Sequence, residues 1–123
     1  MILIGHLDIK SHPFYRIHTI ESIALTPSNA TLFCDYNVAL CHYAHENGLK
    51  LAVHVRQIKE LILAHAMGAC YVVVDKPLVL NAQKIADDYL FDAKILLLSE
   101  QEDDIEFAAL NSIDGILFTR AIV

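Results

Sequence analysis

The stretch Ala-Cys-Tyr-Val-Val-Val-Asp-Lys at residues 69–76 decides how this chain is read. It follows Gly68, runs through β-branched and aromatic residues, and stops on two charges. A strand that is apolar on both faces must be covered on both faces, as in the middle of a parallel α/β sheet. Residues 94–98 form a strand of the same buried type, and residues 31–34, 49–55 and 116–119 read as further strands.

Helical patterns fill the gaps. Residues 37–47 form a helix that Gly48 stops in a left-handed turn. Residues 56–67 form the next, with Ile58, Leu61, Ile62 and His65 as its apolar face and Gly68 as its end. Asn81 is positioned to cap a third helix with Ala82, Ile85, Ala86 and Tyr89 on one side. Ser99 and Glu102 make a capping-box pair for a fourth, whose inner face is Ile105, Ala108 and Ala109. The expected fold is a single-domain α/β protein, residues 1–123, built on a mainly parallel sheet of five or more strands with flanking helices. Residues 31–123 supply the repeated βα units. Residues 1–30 form an irregular N-terminal segment with short strands, a break at Ser11-His12-Pro13, and a brief helix that Thr19 caps.

Gly48, Gly68 and Gly115 all fall at helix-to-strand turns, which places them at the amino edge of the sheet. Open α/β sheets bind ligands at the opposite, carboxyl edge. The residues at or just past the strand ends there are Asp35, Asn37, Arg56, Asp75, Lys76, Ser99, Glu100, Thr119 and Arg120. Arg56, Lys76 and Arg120 could bind a small anionic ligand while Asp75 or Asp35 handles a proton or a divalent ion. Asp75 ends the most buried strand and is expected to pair with Arg56 or Arg120, with Lys76 on the other face. No glycine-rich loop follows any strand, so neither a dinucleotide fingerprint nor a P-loop is present, and no cofactor is expected.

The order of these groups resembles response-regulator receiver domains, which carry acidic residues after the first strand, the phosphorylated aspartate after the third, Ser or Thr after the fourth and Lys after the fifth. Counted from Thr31, Asp35, Asp75 and Ser99 fall in the first three places, and residues 108–122 are similar to the family's Ala-x-x-x-x-Asp-Gly ending. The first acidic site has only Asp35, the lysine place holds Arg120, and an extra segment of 30 residues precedes the pattern. The resemblance lies in elements and not in identities. It implies a flavodoxin- or receiver-like three-layer arrangement; the alternative is a (βα) half-barrel, which leaves the ligand edge unchanged.

Composition narrows the function classes. Among 123 residues, 55% are hydrophobic, and mean hydropathy is +0.42, yet no apolar run reaches the roughly 20 residues of a membrane span. The start lacks the basic and apolar regions of a secretory signal, so a cytoplasmic protein is expected. Net charge is −6, the nine basic residues are scattered, and binding to a nucleic acid backbone is disfavoured. Cys34, Cys41 and Cys70 are an odd set without paired spacing and are expected to be reduced.

His42 and His45, three apart on one helix, are weak metal candidates that lack a third ligand. His54, inside a strand, and His65 read as core or interface histidines. Cys34 as a nucleophile lacks an oriented base. Two functions follow. One is a self-associating, non-enzymatic or regulatory module, forming a homodimer or larger homo-oligomer because apolar residues are in surplus and no helix follows the fifth βα strand. The other is a small anionic metabolite-binding protein or enzyme that uses the carboxyl edge.

Overall fold

The computed structural model describes residues 1–123 and holds seven parallel strands in one sheet. β1 (Ile2–Ile4) and β2 (Phe14–Arg16) come first, followed by a 3₁₀ turn over Glu21–Leu25. Strands and helices then alternate: β3 (Thr31–Asp35), α1 (Val38–Glu46), β4 (Lys50–His54), α2 (Ile58–Ala66) and β5 (Tyr71–Val74). The series ends with α3 (Lys76–Asp88), β6 (Lys94–Ser99), α4 (Asp104–Leu110), β7 (Gly115–Phe118) and a 3₁₀ turn over Thr119–Ala121.

The strand order is β1-β7-β6-β5-β4-β3-β2. From β3 to β7 every crossover steps one strand in the same direction, and right-handed crossovers then put all the helices on one face. The buried residues divide accordingly. Leu32, Val53, Val72, Leu97 and Ile116 pack with the helix residues Leu40, Leu61, Val79 and Ala108. The alternate residues Phe33, Ala52, Val73, Leu96 and Leu117 form a separate inner cluster with Ile4, Phe14 and Ala121. Helices, sheet and inner cluster thus stack as three layers.

The inner cluster joins residues from both edge strands, which a flat sheet would keep apart. Phe14 on β2 and Tyr71 on β5 have ring centroids 5.3 Å apart, although three strand spacings of about 4.8 Å separate their strands. The sheet is therefore curled into a half-barrel with the helices outside. The parallel α/β architecture expected from the central strand is present in this curled form. The resemblance to receiver domains does not extend to strand order, because the sequential run from β3 to β7 lacks the reversal of a 2-1-3-4-5 sheet.

The seam between β1 and β2 is bridged from the other end of the chain. Ile122 pairs in parallel with Phe14, the Arg16 amide donates to the Val123 carbonyl at 2.9 Å, and the Val123 amide donates to the Phe14 carbonyl at 2.9 Å. Gly5, at φ +90°, makes this approach feasible: a Cβ there would lie 2.7 Å from Ala121 Cβ. No helix is long and apolar enough to cross a membrane.

Two boundaries differ from the sequence reading. α3 starts at Lys76, five residues before the expected Asn81 cap, with Pro77 in its first turn, where a fixed φ and a missing N–H cost nothing. α4 starts at Asp104, and Ser99 does not cap it. The Ser99 hydroxyl donates to the Asp104 carboxylate at 2.6 Å, and Glu102 instead meets His6 Nε2 at 2.9 Å.

Candidate functional site

Strand register brings the site together. Asp35 at the end of β3 lies directly opposite His54 at the end of β4. His54 in turn lies opposite Val73, and Asp75 follows two residues later on the same face of β5. All three side chains point to the inner mouth of the half-barrel at its carboxyl edge. Asp35 Oδ1 is 3.5 Å from His54 Nδ1, and Asp75 Oδ1 is 3.4 Å from His54 Nε2. The histidine side chain is only 9% exposed, whereas both aspartates are more than half exposed. Below it, the ring of Phe33 lies 6.2 Å away, and Arg16 holds its guanidinium 5.0 Å from the same ring.

A neutral imidazole has one donor and one acceptor nitrogen. Two carboxylates on opposite sides of the ring cannot both be satisfied by it. Neither contact has hydrogen-bonding geometry, and Nε2 is a buried atom with no hydrogen-bond partner. The site therefore holds an unmet hydrogen-bonding demand between His54 and Asp75, which a proton or a donor-bearing ligand could meet. No group of three or more His, Cys, Asp or Glu side chains is arranged to hold a metal.

Asp75 also occupies the N-cap position of α3 but gives the helix no side-chain cap. Its carboxylate is left to face the mouth. There it lines an open cleft of about 360 Å³ together with Leu98, Glu100, Gln101 and Thr119, with Ser99 and Asp104 in the wall. Thr119 Oγ1 donates to Glu100 Oε1 at 3.3 Å. Another hollow, about 270 Å³, lies at the amino edge among Ile23, Thr26, Pro27 and Leu49. Lys50 is the one ionisable residue that lines it, and it gives no chemistry to work with.

The other expected site residues are dispersed. Arg56 stays near Asp35 at 3.6 Å, a loose surface pair. The expected Asp75 to Arg56 or Arg120 pairing is absent; Asp75 has His54 instead. Lys76, expected to follow strand geometry, is instead the first residue of α3; it donates to Asp104 Oδ1 at 2.9 Å while lying over Phe107. Arg120 donates to the Gly5 carbonyl at 2.7 Å and stacks on Phe118. Asn37 is structural, accepting the Leu40 amide as the α1 cap. Ser99, its hydroxyl on Asp104, holds that carboxyl below its ordinary range, with Lys76 adding to the effect.

His42 and His45 are both exposed on α1. Burial pushes the Cys34 thiol up to about 12, with Cys41 and Asp35 adding to it, so this thiol is no nucleophile near neutral pH. All three cysteines are free, and Cys70, read as part of the buried strand, is exposed just before β5.

His54 is the residue that the sequence reading missed. Its signal was present: counting from Val53 and Val55, which pack under the helices, the residue between them must face inward beside the strand-end carboxylates. No family model matches the sequence, and neither does any curated protein.

Proposed function

We propose that this protein binds a small polar molecule at the carboxyl edge of its half-barrel. Asp75 is the contacting carboxylate, and His54 behind it is the proton donor or acceptor. The observation that carries this reading is the buried imidazole between two carboxylates, its Nε2 without a partner. A fold selected for stability alone gains nothing from such an arrangement, since an unpartnered buried polar atom costs free energy. The three free cysteines support a cytoplasmic setting for the protein.

The test is His54→Phe. Removing an unpartnered polar ring and extending the contact with Phe33 should raise stability by about 1 kcal/mol, or roughly 3 °C in Tm. The half-exposed aspartates lose little. The same variant should lose any stabilisation that a thermal-shift screen of phosphorylated compounds, carboxylates and amines finds for the parent protein. A drop in Tm of several degrees would make His54 a structural partner of Asp35 and Asp75 and remove the basis for the site.

A second reading is self-association into a homodimer or larger homo-oligomer. It is favoured by Ile62 and Leu63 on α2 and Leu80 on α3, which expose between 42% and 49% of their surface.

A further inference from the structure

The cleft beside Asp75 is acidic, although cations were expected to converge there. We propose that its ligand is a small organic cation, an ammonium or guanidinium compound held by Asp75 and Glu100. This inference rests on the carboxyl-edge reading above and names the class of molecule that the edge accepts.

Three observations carry it. The first is what the neighbouring cations do. Lys76 is engaged by Asp104, Arg120 by the Gly5 carbonyl, and Arg56 remains near Asp35. Of the three carboxylates lining the cleft, Asp104 is satisfied by Ser99 and Lys76. That leaves Asp75 without a hydrogen bond and Glu100 with only the Thr119 hydroxyl.

The second is His54. Its side chain is nine-tenths buried and aims an unpartnered Nε2 at Asp75 from behind, at 3.4 Å. With the ring proton on Nδ1, toward Asp35, Nε2 and the Asp75 carboxylate are both acceptors, and no other side chain supplies a donor between them. An anion would add a third acceptor, whereas an ammonium or guanidinium group brings several donors and the opposite charge. A bare divalent ion does not fit, because no group of three ligating side chains converges. Leu98 in the same wall offers the apolar contact that a carbon skeleton needs.

The third is the field. With 15 acidic and 9 basic side chains the molecule is net negative, and a cleft lined by one sign of charge concentrates cations further.

The experiment is a titration of the full chain at low salt with 1,4-diaminobutane, butane-1,4-diol as its neutral counterpart, and succinate as the anion. Calorimetry would measure affinity, and backbone amide shifts would locate binding. The diamine should bind and shift the amides of Asp75, Leu98, Glu100 and Thr119, while the diol and succinate should not. Asp75→Asn and Glu100→Gln should each weaken the diamine at least tenfold; both side chains lie near the surface, so both variants should fold. Succinate shifting these amides while the diamine does not would overturn the cationic class and leave the carboxyl edge standing as a site. Equal diamine affinity in parent and variants would mean nonspecific attraction to an acidic surface and would overturn the inference. No shift at these amides with any of the three compounds would overturn both the inference and the reading it rests on.

Discussion

Asp104 is the carboxylate whose chemistry is best defined. Its side chain is 14% exposed, accepts from Ser99 and Lys76, and is held below the usual carboxylate range chiefly by the Ser99 hydroxyl. A group with a depressed folded pKa contributes stability above its unfolded value, and that contribution is lost as pH falls through the lower folded value. Ser99→Ala should therefore cost about 1 to 3 kcal/mol at pH 7. The gap in Tm between parent and variant should close in acid below about pH 4, near the unfolded carboxyl pKa. A gap that persists unchanged at pH 2.5 would show that packing around Ser99, and not the charge on Asp104, is what the hydroxyl supports. At this scale the sequence was half legible. Asp35 and Asp75 could be found because strand ends converge by topology. His54 was passed over, because an imidazole in an apolar strand reads as core unless its alternation with Val53 and Val55 is followed to the strand-end carboxylates.

The helices differ in how completely they are covered. On α2 the buried residues are Leu61 and Ala64, whereas Ile62, expected on the inner face, is 46% exposed beside Leu63. The reason is curvature: helices packed around a convex sheet touch it along a narrow line, so a face read as a wide stripe is only partly covered. If these residues and Leu80 on α3 are an interface, light scattering should give a dimer or larger assembly at micromolar concentration, and Ile62→Lys with Leu80→Lys should return it to monomer. A monomeric parent would leave self-association without support. The strands from β3 to β7 and the helices between them were readable from apolar runs, glycines and caps. The start of α3 was not, because Asn81 and Asp75 are equally good conventional caps, and the signal that mattered was Pro77 one residue inside the helix. Ser99 and Glu102 had capping-box spacing but served other partners, Asp104 and His6. The contact of Glu102 with His6 is tertiary and leaves no local trace.

Across the whole molecule, curvature decides both the core and the site. Phe33, Ala52, Val73 and Leu96 fill the concave side, and the same alternation brings Asp35, His54 and Asp75 to its mouth. The sequential strand order was beyond the sequence, since helix and strand spacing alone fit a reversed order equally well. The bridged seam between β1 and β2 has a consequence in time. Phe14 and Ile122 are almost a full chain length apart, so their pairing, like that of β1 with β7, carries one of the largest loop-closure costs in the fold. It should also be the first pairing to open. In native-state hydrogen exchange the Arg16 and Val123 amides, which make the bridge, should exchange by local opening well before the amides of Val53 and Val73 in the centre of the sheet. Equal protection throughout would mean that the ring opens only as a unit. Early exchange would instead mark β2 as a stave that briefly bares an unpaired edge to any extended segment within reach.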